Sequence, residues 1–142
     1  MPAAADVQTQ NAGNKAGKAE SGDSITFTFA GPVVPALVLA GWNGSPKQVT
    51  VHLQNNARND VLTVRNASTG ATLFPLGSIS LGGDYSNTTD FSSSVMTAGG
   101  NTVTIVLGTL GGHVKDKAAA AAMIWTAPTT TITESGPLDN EF

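Results

Sequence analysis

Ser24-Ile25-Thr26-Phe27-Thr28-Phe29-Ala30 alternates large apolar side chains with threonine. In an extended chain successive side chains point to opposite faces, so Ile25, Phe27 and Phe29 share one face and Thr26 and Thr28 the other. That is the pattern of a strand with one side buried. Gly22-Asp23 is its entry turn. The same period recurs at Gln48 to Gln54, where Val49, Val51 and Leu53 oppose Thr50, His52 and Gln54, and at Thr102 to Leu107, where Val103, Ile105 and Leu107 oppose Thr102 and Thr104. Val61 to Arg65 is the expected partner of the second run. The six residues from Asn55 to Asp60 between them have hairpin-loop composition, with Asn and Asp side chains able to bond their own backbone.

Other segments read less regularly. Gly31 to Trp42 is apolar but carries Pro32 and Pro35, which predicts a short helical turn or edge segment, with Trp42 facing inward. Ala71 to Leu76 is expected at a sheet edge because Pro75 cannot donate to a ladder, and Ile79 and Leu81 extend it. Phe91 to Met96 reads as a short strand, and Lys115 to Ala122 as one helical turn at most. Met123 to Thr126 and Thr129 to Thr133 read as a last strand bent at Pro128. About seven short strands predict an all-β fold, an antiparallel β-sandwich over residues 23–134.

Residues 1–22 hold Ala, Gln, Asn, Gly and Lys, with Val7 the only large aliphatic after Met1. Such a segment buries too little surface to order alone, so a mobile arm, or one draped over a neighbour, is expected. Residues 135–142 form an acidic tail that either stays solvated or docks Phe142 elsewhere. Candidate protein-interaction residues are therefore Val7, Gln8, Gln10, Lys15 and Lys18 in the arm, with Leu138 and Phe142 in the tail.

Composition removes several classes of function. Of 142 residues only 12% are charged and the net charge is −3, so no basic stripe exists to neutralise a row of phosphates; nucleic acid is not an expected partner. Weak self-repulsion points toward a homo-oligomer. With no cysteine there is no disulfide, thiolate nucleophile or Cys-based metal site. No run of 18 apolar residues occurs, and Met1-Pro2-Ala3-Ala4 opens no basic leader, so neither export nor membrane insertion is expected.

No constellation of acids, bases and nucleophiles stands out, and the expectation is a protein without enzymatic activity or cofactor. His52 lies on the polar side of its strand and His113 in a Gly-rich loop, where both read as solvent-facing. The Gly-Gly pairs at 82, 99 and 111 lack the spacing of a phosphate cradle. Asp84, Asn87 and Asp90 offer loop oxygens of the kind calcium takes, but they read first as turn formers. Asn43, Asn66 and Asn87 begin N-x-Ser/Thr triplets that a chain rich in these residues yields by chance. Trp42 and Trp125 are the natural platforms for stacking a sugar, yet their apolar neighbours place them in the core.

The run Gly22-Asp23-Ser24-Ile25-Thr26-Phe27-Thr28-Phe29-Ala30-Gly31-Pro32-Val33, followed by Leu39-Ala40-Gly41-Trp42-Asn43-Gly44, resembles the opening of bacterial surface-repeat Ig-like domains. Val103-Thr104-Ile105-Val106-Leu107-Gly108 and Met123-Ile124-Trp125-Thr126 before Pro128 are similar to their late strands, so the resemblance spans residues 20 to 134. It implies that the antiparallel β-sandwich is Ig-like and used for display, spacing or adhesion. A single such module opening at its own Met, without flanking repeats, resembles the accessory domains that tailed bacteriophages place on their virions. The function it implies is a capsid decoration protein bound to the major capsid protein or another virion protein. The alternative is a bacterial cell-surface or secreted Ig-like module, an adhesin or a glycan-binding module.

Overall fold

In the computed structural model, which describes residues 1–12, 15–56, 59–115, 121–134 and 142, the strand of alternating Thr and Phe is the second of ten. The strands are β1 (Ala4–Gln10), β2 (Ser24–Phe29), β3 (Lys47–Gln54), β4 (Val61–Asn66), β5 (Ser78–Ser80), β6 (Thr89–Gly99), β7 (Thr102–Val106), β8 (Thr109–Leu110), β9 (Ile124–Thr126) and β10 (Thr131–Thr133), with one short helix, α1 (Pro35–Val38). They hydrogen-bond in the order β1-β2-β7-β6-β3-β4-β5-β9-β10, with β8 also paired to β6. Where about seven strands in two stacked sheets were expected, ten strands form one antiparallel sheet. Its ends β1 and β10 curl toward each other, so the sheet is nearly a barrel.

Register explains what fills it. Leu53, Leu62, Ile79, Trp125 and Ile132 lie opposite one another across β3, β4, β5, β9 and β10, and Thr9, Ile25, Ile105 and Met96 do so across β1, β2, β7 and β6. Both rows point inward, as a period of two requires. The two sides meet at Trp125, whose ring lies edge-on to Phe27 and Phe29 at centroid distances of 5.1 Å each. β2 and β9 are not neighbours in the sheet, so these contacts span the interior. The barrel is a packed core, and both tryptophans belong to it: Trp125 donates its Nε1–H to the Leu76 carbonyl at 2.7 Å, and Trp42 to the Ser45 carbonyl at 2.6 Å.

Several expectations are corrected. Residues 4–10, expected in a mobile or draped arm, are the strand β1, paired with β2 from Ala4 opposite Phe29 to Gln10 opposite Ser24. Ala4, Val7 and Thr9 supply its buried side, small residues that leave room for Phe27 and Phe29. The short strand expected at Phe91 to Met96 is the eleven-residue β6, which pairs with β3, β7 and β8. It carries a bulge: Val49 faces Ser94 but Val51 faces Phe91, and Ser93 takes a positive φ of 55°. Ser94 fastens the bulge by donating its hydroxyl to the Phe91 carbonyl at 2.9 Å and accepting the Gly108 N–H at 3.0 Å. The last strand, expected to bend at Pro128, is instead the hairpin β9–β10. Pro75 lies not in an edge strand but in a 3-10 turn, Phe74–Leu76. The helical turn expected at 115–122 falls mostly outside the described residues.

Candidate functional site

An antiparallel order sends alternate connections to opposite ends of the barrel. At one end lie residues 1–3, the β2–β3 connection (30–46), the β4–β5 connection (67–77), the β6–β7 turn (100–101) and the β9–β10 turn (127–130). None of these stretches contains Asp, Glu, Lys, Arg or His. Lys15, Lys18, Glu20, Asp23, Asp60, Asp84, His113, Lys115 and Glu134 lie in segments at the other end. Asp6, Lys47 and Arg65, on β1, β3 and β4, stand close to the first end, so its connections are uncharged while its margin is not.

The uncharged end is also where apolar surface is left uncovered. Phe74 is 77% exposed, Leu37 54%, Val34 49% and Met1 42%, four of the seven large hydrophobic residues that are exposed among the described residues. Local structure accounts for this. Leu73 and Leu76 are buried on either side of Phe74, and the 3-10 turn closes through Leu76 N–H to Leu73 O (3.1 Å) and Gly77 N–H to Phe74 O (2.9 Å), which points the ring outward. Gly77 has φ 59°, and a Cβ there would stand 2.0 Å from the Thr126 carbonyl oxygen, so the turn packs against β9 with no room for a side chain. α1, which carries Leu37, packs beside this turn. Hollows lie on both sides of the Phe74 ridge. One, of about 380 Å³, runs over the hydroxyl row Thr63–Ser78–Thr126 toward Pro128, and the other, of about 260 Å³, lies between Met1, Pro2 and Phe29.

The residues expected to form an interaction surface do not gather into one. Val7 faces the core of the barrel. Gln8 donates its amide to Asp6 Oδ2 at 3.1 Å, Gln10 is exposed at the end of β1, and Lys15 and Lys18 lie in the loop before β2, where the Lys15 N–H is held by Glu20 Oε1 at 3.0 Å. Phe142 is buried: its ring lies edge-on to Tyr85 at 5.3 Å, and its backbone oxygen accepts the Gly17 N–H at 2.7 Å. The docked alternative for the tail thus holds at that residue, while Leu138 lies outside the described residues.

Among the described residues the titratable side chains are dispersed and form no cluster of three or more that could hold a metal ion. His52 Nδ1 meets Asp90 Oδ1 at 2.6 Å on the outer face of the sheet, and its Nε2 is 3.3 Å from Gln54 Oε1. Asp84, considered together with Asp90 as a calcium ligand, is instead ion-paired to Lys115. Asp60 is buried and serves the backbone: its Oδ2 accepts the N–H groups of Tyr85 (2.7 Å) and Ser86 (2.8 Å), and its Oδ1 that of Asn56 (3.1 Å).

Phe74 was hidden in the sequence because Leu73-Phe74-Pro75-Leu76 reads as a damaged strand; the available signal was Pro75 in a run too apolar for a loop. Comparison of the chain with protein families, with curated proteins and with solved structures returned no match.

Proposed function

We propose that this chain is a non-enzymatic structural protein of the bacteriophage virion, a decoration protein of the capsid lattice, built into its assembly through the uncharged barrel end. The observation that carries the reading is the apolar surface at that end, which combines exposed Phe74, Leu37, Val34 and Met1 with connections free of charged side chains. Contiguous exposed apolar surface on a small soluble fold marks contact with another macromolecule. Each large apolar side chain covered contributes roughly 1.5–3 kcal/mol. Repetition over many lattice sites turns a modest contact into a large gain in particle stability by mass action. The capsid setting adopts the resemblance of residues 20 to 134 to Ig-like modules of virions and bacterial surfaces, and a strand-rich, cysteine-free chain with a filled interior suits such a scaffold.

The reading is tested on particles purified by density gradient from the phage whose genome encodes the chain. Quantitative mass spectrometry is expected to find it in a fixed ratio to the major capsid protein. Because the connections that form the contact carry no charged side chain, that ratio should stay constant from about 0.05 to about 0.5 M NaCl, a range over which exposed ion pairs are progressively screened. Absence from the particles, or release by salt, contradicts the proposal.

A further inference from the structure

We infer that Asn43-Gly44 is a site of spontaneous covalent change, at which Asn43 closes to a succinimide and reopens as aspartate and isoaspartate in the folded protein. The inference does not depend on the virion reading. Asn43-Gly44 is the one Asn-Gly pair in the chain, and Asn43 is exposed in the β2–β3 connection. The ring that forms contains Cγ, Cβ, Cα and the carbonyl carbon of Asn43 and the nitrogen of Gly44. Asn43 Oδ1 accepts the Ser45 N–H at 3.1 Å, which folds the carboxamide forward over those atoms. The Gly44 N–H makes no hydrogen bond among the described residues. With no Cβ on Gly44, the nitrogen is unobstructed and the backbone can turn to follow the closing ring.

The charge that develops during closure is met by donors already in place. As the Gly44 nitrogen, its proton lost to hydroxide, bonds to Cγ, an electron pair moves onto Oδ1. Ser45 N–H at 3.1 Å and Ser45 Oγ–H at 2.6 Å already donate to that oxygen. Donors fixed beforehand where negative charge develops lower a barrier more than donors that must be recruited. Ser45 is fixed through its backbone: its carbonyl accepts the Nε1–H of buried Trp42 at 2.6 Å, and the adjoining Gly44 carbonyl accepts the Ala98 N–H at 3.0 Å. When Oδ1 regains its double bond, the Cγ–Nδ2 bond breaks and ammonia leaves, taking a proton from water and returning hydroxide. Water then adds to one of the two ring carbonyls. Opening at Cγ gives aspartate, and opening at the backbone carbonyl gives isoaspartate. The net change exchanges ammonia for water and places one carboxylate in a connection, residues 30–46, that has no charged side chain. Asn66 supplies a comparison within the molecule. Its Oδ1 accepts the Ser68 N–H at 2.8 Å and the Thr69 N–H at 3.4 Å, a similar turn, but Ala67 follows it and its donors are backbone groups.

The full chain is incubated for days in mildly alkaline buffer without denaturant. It is expected to gain one negative charge on anion exchange and a mass equal to water less ammonia, with peptide mapping placing the change at Asn43 and an isoaspartate-specific methyltransferase labelling it. The rate at Asn43 should exceed that at Asn66 by on the order of tenfold, because Gly44 and the Ser45 hydroxyl both favour closure. Asn43→Gln, which closes only to a six-membered ring, should lose the reaction. Ser45→Ala should slow it about three- to tenfold, the range that one hydrogen bond supplies. In urea, where the turn is gone, wild type and Ser45→Ala should react at equal rates. Asn43 and Ser45 are both exposed, so circular dichroism should be the same for all three proteins. A wild type unmodified at Asn43, or modified there no faster than at Asn66, overturns the inference. Equal rates for wild type and Ser45→Ala in the folded protein overturn the role given to Ser45.

Discussion

Replacing Trp125 with alanine is expected to destabilise the fold by on the order of 5 kcal/mol, a large part of the roughly 5–15 kcal/mol that holds a domain of this size together. Two terms add. The indole is fully buried between Phe27 and Phe29, and truncating such a ring costs about 3–5 kcal/mol in lost burial and residual cavity. Its Nε1–H also satisfies the Leu76 carbonyl, which alanine leaves unpaired at about 1–3 kcal/mol. Trp125→Phe separates them: it keeps most of the ring contact and loses the hydrogen bond, so a loss of about 1–3 kcal/mol is expected. Urea titration followed by circular dichroism measures both. A loss below about 1 kcal/mol for the alanine variant contradicts a barrel closed across its interior by this residue.

Asp60→Ala is expected to cost about 3–5 kcal/mol. The side chain accepts the buried N–H groups of Tyr85 and Ser86 and also that of Asn56, and each orphaned buried donor costs about 1–3 kcal/mol. The backbone of Asp60 joins the same segment, donating to Gly83 and accepting from Leu81, so residue 60 ties the β3–β4 connection to residues 81–86. Asp60→Asn keeps one acceptor oxygen and should lose roughly half as much. The same denaturation experiment reads the order wild type, Asn, Ala. Equal losses for the two variants contradict the acceptor role.

How much of this was legible in the sequence follows from where its information is local. β2, β3, β4 and β7 were readable because large apolar residues alternate with polar ones in each, and burial on one face is what that alternation encodes. β1 was not, because Ala4 and Thr9 fill inward positions beside the bulky Phe27 and Phe29, and only the partner strand makes small residues suitable there. β6 was legible only in part, as Phe91 to Met96, because the bulge at Ser93 interrupts its alternation and its ends, Thr89-Asp90 and Thr97-Ala98-Gly99, carry no large apolar residue. One curled sheet rather than two stacked sheets depends on the pairing of β2 with β7 and of β5 with β9, long-range choices that no local period specifies.

The site shows the same division. The charge-free runs at 30–46 and 66–77 are visible in the sequence, but only the antiparallel order brings them to one end with residues 1–3 and 127–130. Reading the arm and tail as the contact surface put weight on Val7 and Phe142, whose apolar side chains instead complete the core.

Hydrogen exchange of the protein, free and bound on purified particles, tests most directly whether the uncharged end is the working surface. The expected result is slowed exchange on binding in residues 30–46, 66–77 and 127–130, with the β1–β2 and β3–β4 connections at the opposite end unchanged. Protection confined to the charged end, with residues 30–46 and 66–77 exchanging as in the free protein, contradicts it.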